Sequence, residues 1–131
     1  MRVMIDTNIL VSALVFPNER MNTLLCRIVT KYNLVLSSYV VDELFNVIGR
    51  KFKDKAKVID VLLSKLPYEL VCTPKHPPSG LFEIRDLKDY PVLYSAIVKD
   101  VDVFITGDKD FDDIGLEKPE ILTVTKFLDK Y

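Results

Sequence analysis

The sequence predicts a single α/β domain over residues 1–131, built on a mainly parallel sheet of about five strands. Three observations favour this class. Five short runs are continuously apolar or β-branched, as is typical of strands covered on both faces. Segments with helical periodicity separate these runs, which favours parallel strands joined by helical crossovers. The length of 131 residues and the hydrophobic content of 49% suit one domain with a sizeable core.

The first elements can be placed from periodicity and capping residues. The predicted strands are residues 2–6, 34–37, 68–73, 103–106 and 121–124. The apolar residues after Asn8 are interpreted as the start of a helix. A further helix is predicted from the three- and four-residue spacing of apolar residues between Met21 and Tyr32, with Asn18 as its N-cap.

The later elements follow the same signals. A helix is expected from Ser38, as its cap, to about Gly49, and another over residues 55–66. The segment 75–80 is proline-rich and is predicted to be a surface loop. The last predicted helix begins near Asp89, because the proline two residues later is acceptable in a first helical turn.

Charge, cysteines and hydropathy limit the function classes. The chain has 18 basic and 19 acidic side chains, so a surface for nucleic acid would have to be local. Cys26 and Cys72 have no metal-binding spacing and are expected to be buried free thiols in a reducing cytosol. No run of about 18 uncharged apolar residues is present, so we expect no membrane-spanning helix and a cytoplasmic location.

Acidic residues fall where sites collect in parallel α/β sheets, at strand ends and helix starts. Asp6 ends the first predicted strand within "VMIDTNIL", where an uncompensated carboxylate is costly to bury. Asp108 follows the fourth predicted strand. At about 100° per residue, Glu43 falls at the border of one apolar helix face and Asp89 projects within another.

These four acids are therefore expected to converge. Carboxylates that lie close together repel one another, and without a cation some of them have to protonate. Mg²⁺ or Mn²⁺ relieves the repulsion, because hard cations prefer oxygen ligands. The single histidine, His76, lies in the proline-rich loop and does not suggest a zinc site. An acidic metal site of this kind suits phosphodiester hydrolysis.

Each acid also has an alternative structural interpretation. Glu43 can be a solvated edge residue, Asp89 a helix N-cap or dipole partner, and Asp108 part of a turn. Asp6 is the hardest of the four to explain structurally. An aspartyl-phosphate phosphatase also uses a strand-end aspartate, but it needs a second acid where this chain has Asn8. A receiver-type switch needs paired acids, and Asp6 has no acidic neighbour.

Three stretches resemble the PIN domain family: "MIDTNILVSAL", "SSYVVDELFNV" and "IRDLKDYPVLYSAIVKDVDVFITGDKDF". They are most similar to the toxin components of VapC-like toxin–antitoxin systems, over nearly the whole chain. The resemblance implies a Rossmann-like three-layer sandwich with helices on both faces of the sheet. It implies a Mg²⁺- or Mn²⁺-dependent endoribonuclease that cleaves single-stranded or loop RNA. It also implies a homodimer and a cognate antitoxin protein that blocks the site.

The resemblance also assigns the site residues by motif. The catalytic and metal-binding acids are Asp6, Glu43, Asp89 and Asp108. Asp110 is a second candidate for the fourth position, and Asp86 is a weaker candidate for the third. Asn8 and Thr106 match polar positions that support the acids. Tyr90 is a departure, because asparagine is common there among close relatives.

A basic stretch, residues 50–57, is a candidate surface for RNA near the mouth of the site. Arg50, Lys51 and Lys53 can neutralise phosphates, and Phe52 can stack on a base. The alternative is a solvated helix connection with Phe52 packed inward. The competing function for the whole chain is a catalytically inactive PIN-like module that acts through protein or RNA contacts.

Overall fold

A five-stranded parallel sheet forms the centre of the structure, a computed structural model that describes residues 1–112 and 114–131. Its strands are β1 (Arg2–Ile5), β2 (Asn33–Ser37), β3 (Glu69–Val71), β4 (Val103–Ile105) and β5 (Glu120–Leu122). Their order across the sheet is β3-β2-β1-β4-β5, and each neighbouring pair is parallel. The predicted fold class is confirmed.

The helices connect the strands as parallel pairing requires. Those of the described residues are α1 (Thr7–Val15), α2 (Glu19–Lys31), α3 (Ser38–Lys51), α4 (Ala56–Lys65), α5 (Tyr90–Val98) and α6 (Val124–Lys130). The strand order reverses at β1, and parallel crossovers are right-handed, so the helices cover both faces of the sheet. None of the helices in the two described segments is both long and apolar enough to cross a membrane.

The central strands are apolar without alternation because both of their faces are covered. Val3, Met4 and Ile5 of β1 are 0% exposed, and β1 has a strand partner on each side. Phe104 of β4 is equally buried and packs edge-to-face against Phe111 at 5.1 Å between ring centroids. This burial fixes the strand whose end carries Asp6.

Several predicted boundaries differ from the structure by one or two residues, and two of these differences have a visible cause. Val124 was expected in the last strand but begins α6, because the Thr123 side chain accepts a hydrogen bond from the first turn of that helix. Ser37 rather than Ser38 caps α3, with its Oγ accepting from the Val40 amide at 3.1 Å. In both cases the hydroxyl that reaches the helix amides determines where the helix begins.

The expected burial of the two cysteines is also wrong, since both thiols are free and exposed. Cys26 lies on α2 about 200° around the helix from the buried Leu24, and therefore on the solvent side. Cys72 follows the buried Val71 at the end of β3, an edge strand, and side chains alternate along a strand.

We expect both thiols of the native protein to react with a colorimetric disulfide reagent without denaturant, because both are exposed. The measurement is the number of cysteine thiols that react with the reagent before and after unfolding. Cys26→Ser and Cys72→Ser should each remove one reactive thiol. Reaction that begins only after unfolding would contradict the exposure of these side chains.

Candidate active site

The switch point of the sheet brings the first two predicted site residues together. The strands β1 and β4 are parallel neighbours, so both end at the same carboxyl edge of the sheet, at the point where the strand order reverses. Ile5 is in register with Ile105, so Asp6 and Thr106 follow as neighbours, and the Asp6 amide donates to the Ile105 carbonyl at 3.2 Å. Ligand sites of open parallel sheets lie at such a point.

Asp6 is 7% exposed and both of its carboxylate oxygens accept hydrogen bonds. Oδ1 accepts from the Ile9 amide at 3.0 Å and caps α1, a structural role that the sequence analysis did not identify. Oδ2 accepts from the Thr106 hydroxyl. Burial raises the pKa of Asp6, and the nearby Asp108 raises it further, while these hydrogen bonds lower it.

Thr106 connects the first and the last of the predicted acids. Its hydroxyl donates to Asp6 and accepts from the Asp108 amide at 3.1 Å, and the residue is 3% exposed. Asp108 Oδ1 in turn accepts from the Asp110 amide at 2.8 Å, so the turn role considered for Asp108 is present. One buried hydroxyl thus fixes the loop after β4 against the end of β1.

We expect Thr106→Val to lower the free energy of unfolding by about 1–3 kcal/mol, because a buried carboxylate loses a donor and a loop amide loses its acceptor. It should also raise the pKa of Asp6, since the Thr106 hydrogen bond lowers that pKa. Denaturant unfolding and carboxyl titration by NMR measure the two effects. Thr106→Ser, which keeps the hydroxyl, is the control; equal losses in both variants would contradict the role of the hydroxyl.

A cavity of about 200 Å³ opens at this edge of the sheet. Five carboxylates line it: Asp6, Glu43, Asp86, Asp89 and Asp108. The four acids that were expected to converge are therefore brought to one cavity from four separate segments. Asn8, on the first turn of α1, also lines the cavity and is exposed.

Asp89 is the acid with the least structural explanation. It occupies the N-cap position of α5, but its side chain makes no capping hydrogen bond. Its Oδ2 atom is buried and has no hydrogen-bond partner within 1–112 and 114–131. Burial and the nearby carboxylate of Asp108 raise the pKa of Asp89 to about 7, with smaller contributions from Asp86 and Asp110. The capping alternative therefore does not account for Asp89.

The two secondary candidates lie next to Asp89. One carboxylate oxygen each from Asp86, Asp89 and Asp110 lie within 4.8 Å of one another. Arg85 Nη2 lies 2.9 Å from Asp110 Oδ1 and neutralises part of this charge. An all-oxygen donor set with an unpartnered buried carboxylate oxygen fits a hard divalent cation such as Mg²⁺ or Mn²⁺.

Glu43 has a partner that the sequence analysis missed. Tyr39 lies one helical turn before Glu43 on α3 and lines the same cavity. Burial, and then the Glu43 carboxylate nearby, raise the pKa of Tyr39 above its usual range. The signal in the sequence is the i, i+4 spacing of the two residues on a helix that starts at the carboxyl edge.

The basic stretch lies away from the cavity. Arg50, Lys51 and Lys53 are exposed, but none lines the cavity. Because α3 starts at the carboxyl edge and its 14 residues extend about 21 Å, its basic end points away from the acids. Phe52 packs edge-to-face on Phe16 at 5.2 Å, so the inward-packed alternative for Phe52 is the observed one.

Two of the solved structures that share this fold illustrate the similarity. The chain is similar to a chain of the structure of VapBC2 from Rickettsia felis bound to a DNA fragment from its promoter. The TM-score is 0.71 and the identity 20%, over 93% of this chain and 97% of that chain. Mycobacterium tuberculosis VapC20, described as a Sarcin-Ricin loop cleaving toxin, has a TM-score of 0.60 and 13% identity, over 87% of this chain and 95% of that chain.

No curated protein matches the chain significantly, but a family model does. The PIN domain family model matches residues 2–110, a range that contains all the acids of the cavity. The chain therefore belongs to the PIN domain family.

Proposed function

We propose that this protein is a Mg²⁺- or Mn²⁺-dependent endoribonuclease, and the toxin of a toxin–antitoxin pair. The observation that carries the proposal is the buried Oδ2 atom of Asp89, which has no hydrogen-bond partner among the described residues and lies in a cavity that five of their carboxylates line. So much negative charge in a small volume calls for a cation. Membership of the PIN domain family and the fold shared with VapC20, a loop-cleaving toxin, support RNA as the substrate.

Asp6, Glu43, Asp89 and Asp108 would hold the cation, with Asp110 as a further candidate ligand. When bound, the cation would supply Lewis acidity at the phosphoryl group and lower the pKa of an attacking water. The chain's own contribution is to hold the acids in position.

Two side chains and one backbone amide orient these acids. The Thr106 hydroxyl and the first turn of α1 fix both oxygens of Asp6, and the Tyr39 phenol faces Glu43. Lys88 lines the cavity beside the acids, and we assign to it a contact with a phosphate next to the scissile bond. Arg50, Lys51 and Lys53 remain predicted contacts for more distant parts of the RNA.

The small size of the cavity, about 200 Å³, supports an unpaired strand as the substrate, because a duplex is too bulky to reach the acids. Single-stranded or loop RNA meets this requirement. The antitoxin would be a separate protein that covers the cavity, and the homodimer remains a prediction.

The test is incubation of the purified chain with a pool of single-stranded RNAs, with Mn²⁺ and with a chelator. We expect internal cleavage in Mn²⁺ and none in the chelator. Intact RNA under both conditions, with Mn²⁺ bound, would contradict the nuclease and favour the competing binding module.

A further inference from the structure

A second cavity, of about 650 Å³, lies beside the acidic cavity. The segment 83–91 forms a wall of both: Asp86 and Asp89 line the acidic cavity, whereas Leu87 and Tyr90 line the second one. A strand with its phosphodiester at the acids can therefore reach the second cavity with a neighbouring nucleotide. None of the roles assigned above uses this cavity.

The second cavity contains a stack of aromatic rings. The rings of Phe82 and Tyr90 lie 4.5 Å apart between centroids at an angle of 16°, and Tyr94 extends the series at 6.0 Å from Tyr90. The Tyr90 hydroxyl donates to the Pro78 carbonyl at 2.6 Å and accepts from the Leu81 amide at 3.3 Å. These contacts hold the rings in place, and the partly exposed Phe82 lines the cavity.

The rim of the second cavity carries donors suited to an anion. Lys75 and His76 are exposed and line it, and Leu87 is 79% exposed at its wall. An aromatic platform bordered by cationic and hydrogen-bonding side chains is the combination that recognises unpaired nucleotides. Glu83 is an exposed acid that also lines the cavity and offsets the charge of Lys75. The aromatic stack and the wall shared with the acids therefore favour a nucleotide of the substrate over a protein segment.

We infer that the second cavity binds one unpaired base of the RNA, next to the scissile phosphodiester, by stacking on Phe82. Lys75 contacts the phosphate of that nucleotide. The inference rests on the proposed ribonuclease function and adds a base-binding subsite to it. The subsite gives the enzyme a requirement for an unstacked base beside the cleaved bond.

The test is the steady-state cleavage, in Mn²⁺, of one short oligoribonucleotide and of versions that lack one base near the cleavage site. Loss of the stack in Phe82→Leu should raise KM about tenfold with little change in kcat, whereas Phe82→Trp should keep KM close to that of the original protein. Removal of one particular base should raise KM of the original protein by a similar factor. In Phe82→Leu, removal of the same base should cause no further increase in KM.

Leu70→Ala is the matched control, because Leu70 is an exposed apolar residue of β3 outside the cavity. It should leave KM unchanged. Absence of cleavage by the original protein would overturn the proposed function itself. If the original protein cleaves RNA normally but removal of no single base raises KM, the subsite alone is overturned. This measurement uses only the original protein and does not depend on the folding of a variant. An equal penalty for base removal in Phe82→Leu and in the original protein would also overturn it.

Discussion

Asp6→Asn is expected to lower Mn²⁺-stimulated RNA cleavage by about 100-fold or more, because it removes a negative ligand from the proposed cation site. Asparagine is a good N-cap, so α1 keeps the hydrogen bond that Asp6 Oδ1 now accepts from Ile9. Burial raises the pKa of Asp6, which means that the fold disfavours its charge. Against this gain, the amide nitrogen at the Oδ2 position cannot accept from the Thr106 hydroxyl, so the melting temperature should change little.

Asp42→Asn is the matched control for this loss. Asp42 is an exposed acid next to Glu43 on α3, and it does not line the cavity. Cleavage rates and thermal unfolding are measured for both variants. Undiminished cleavage by Asp6→Asn would remove Asp6 from the site, and a large loss in Asp42→Asn would show that the effect is not specific to the cavity.

Asp89→Asn is expected to raise the melting temperature of the metal-free protein at pH 8 by about 3–6 °C, which corresponds to about 1 kcal/mol once solvent screening is allowed for. The folded pKa of Asp89 is about 7, against an ordinary value of 3.8. The folded state therefore holds the proton more tightly than the unfolded state. This contribution to stability is present below about pH 4 and is lost as the pH rises through about 7.

Thermal unfolding between pH 5 and pH 8, without divalent cations, measures this effect. The original protein should lose stability over that range, and Asp89→Asn should lose less. Mn²⁺ should restore stability at pH 8 in the original protein only. A melting temperature that falls equally in both proteins would contradict the repulsion assigned to Asp89.

Much of the site follows from parallel topology alone. Asp6 and Asp108 follow strands that pair in the structure, and residues after neighbouring parallel strands share one edge of the sheet. Asp89 and Glu43 were placed by helical projection, and both line the same cavity. Asp6, Glu43 and Asp89 needed only the strand runs and the 3.6-residue period, whereas the choice of Asp108 over Asp110 also depended on the resemblance to the PIN domain.

Other features depend on contacts that no local pattern encodes. Asp86 and Asp110 come together with Asp89 because two loops without regular periodicity fold against each other. The capping role of Asp6 depends on the exact residue at which β1 ends and α1 begins. Phe52 packs edge-to-face against Phe16, which lies in a distant part of the chain.

Calorimetric titration with Mn²⁺ at pH 8 tests the central claim most directly, that the converging carboxylates hold a divalent cation. The account predicts saturable binding by the original protein and by Asp42→Asn. It predicts that Asp6→Asn and Asp89→Asn bind Mn²⁺ about 10–100-fold more weakly or worse. Absence of saturable binding by the original protein, or equal affinity in all four proteins, would contradict the account.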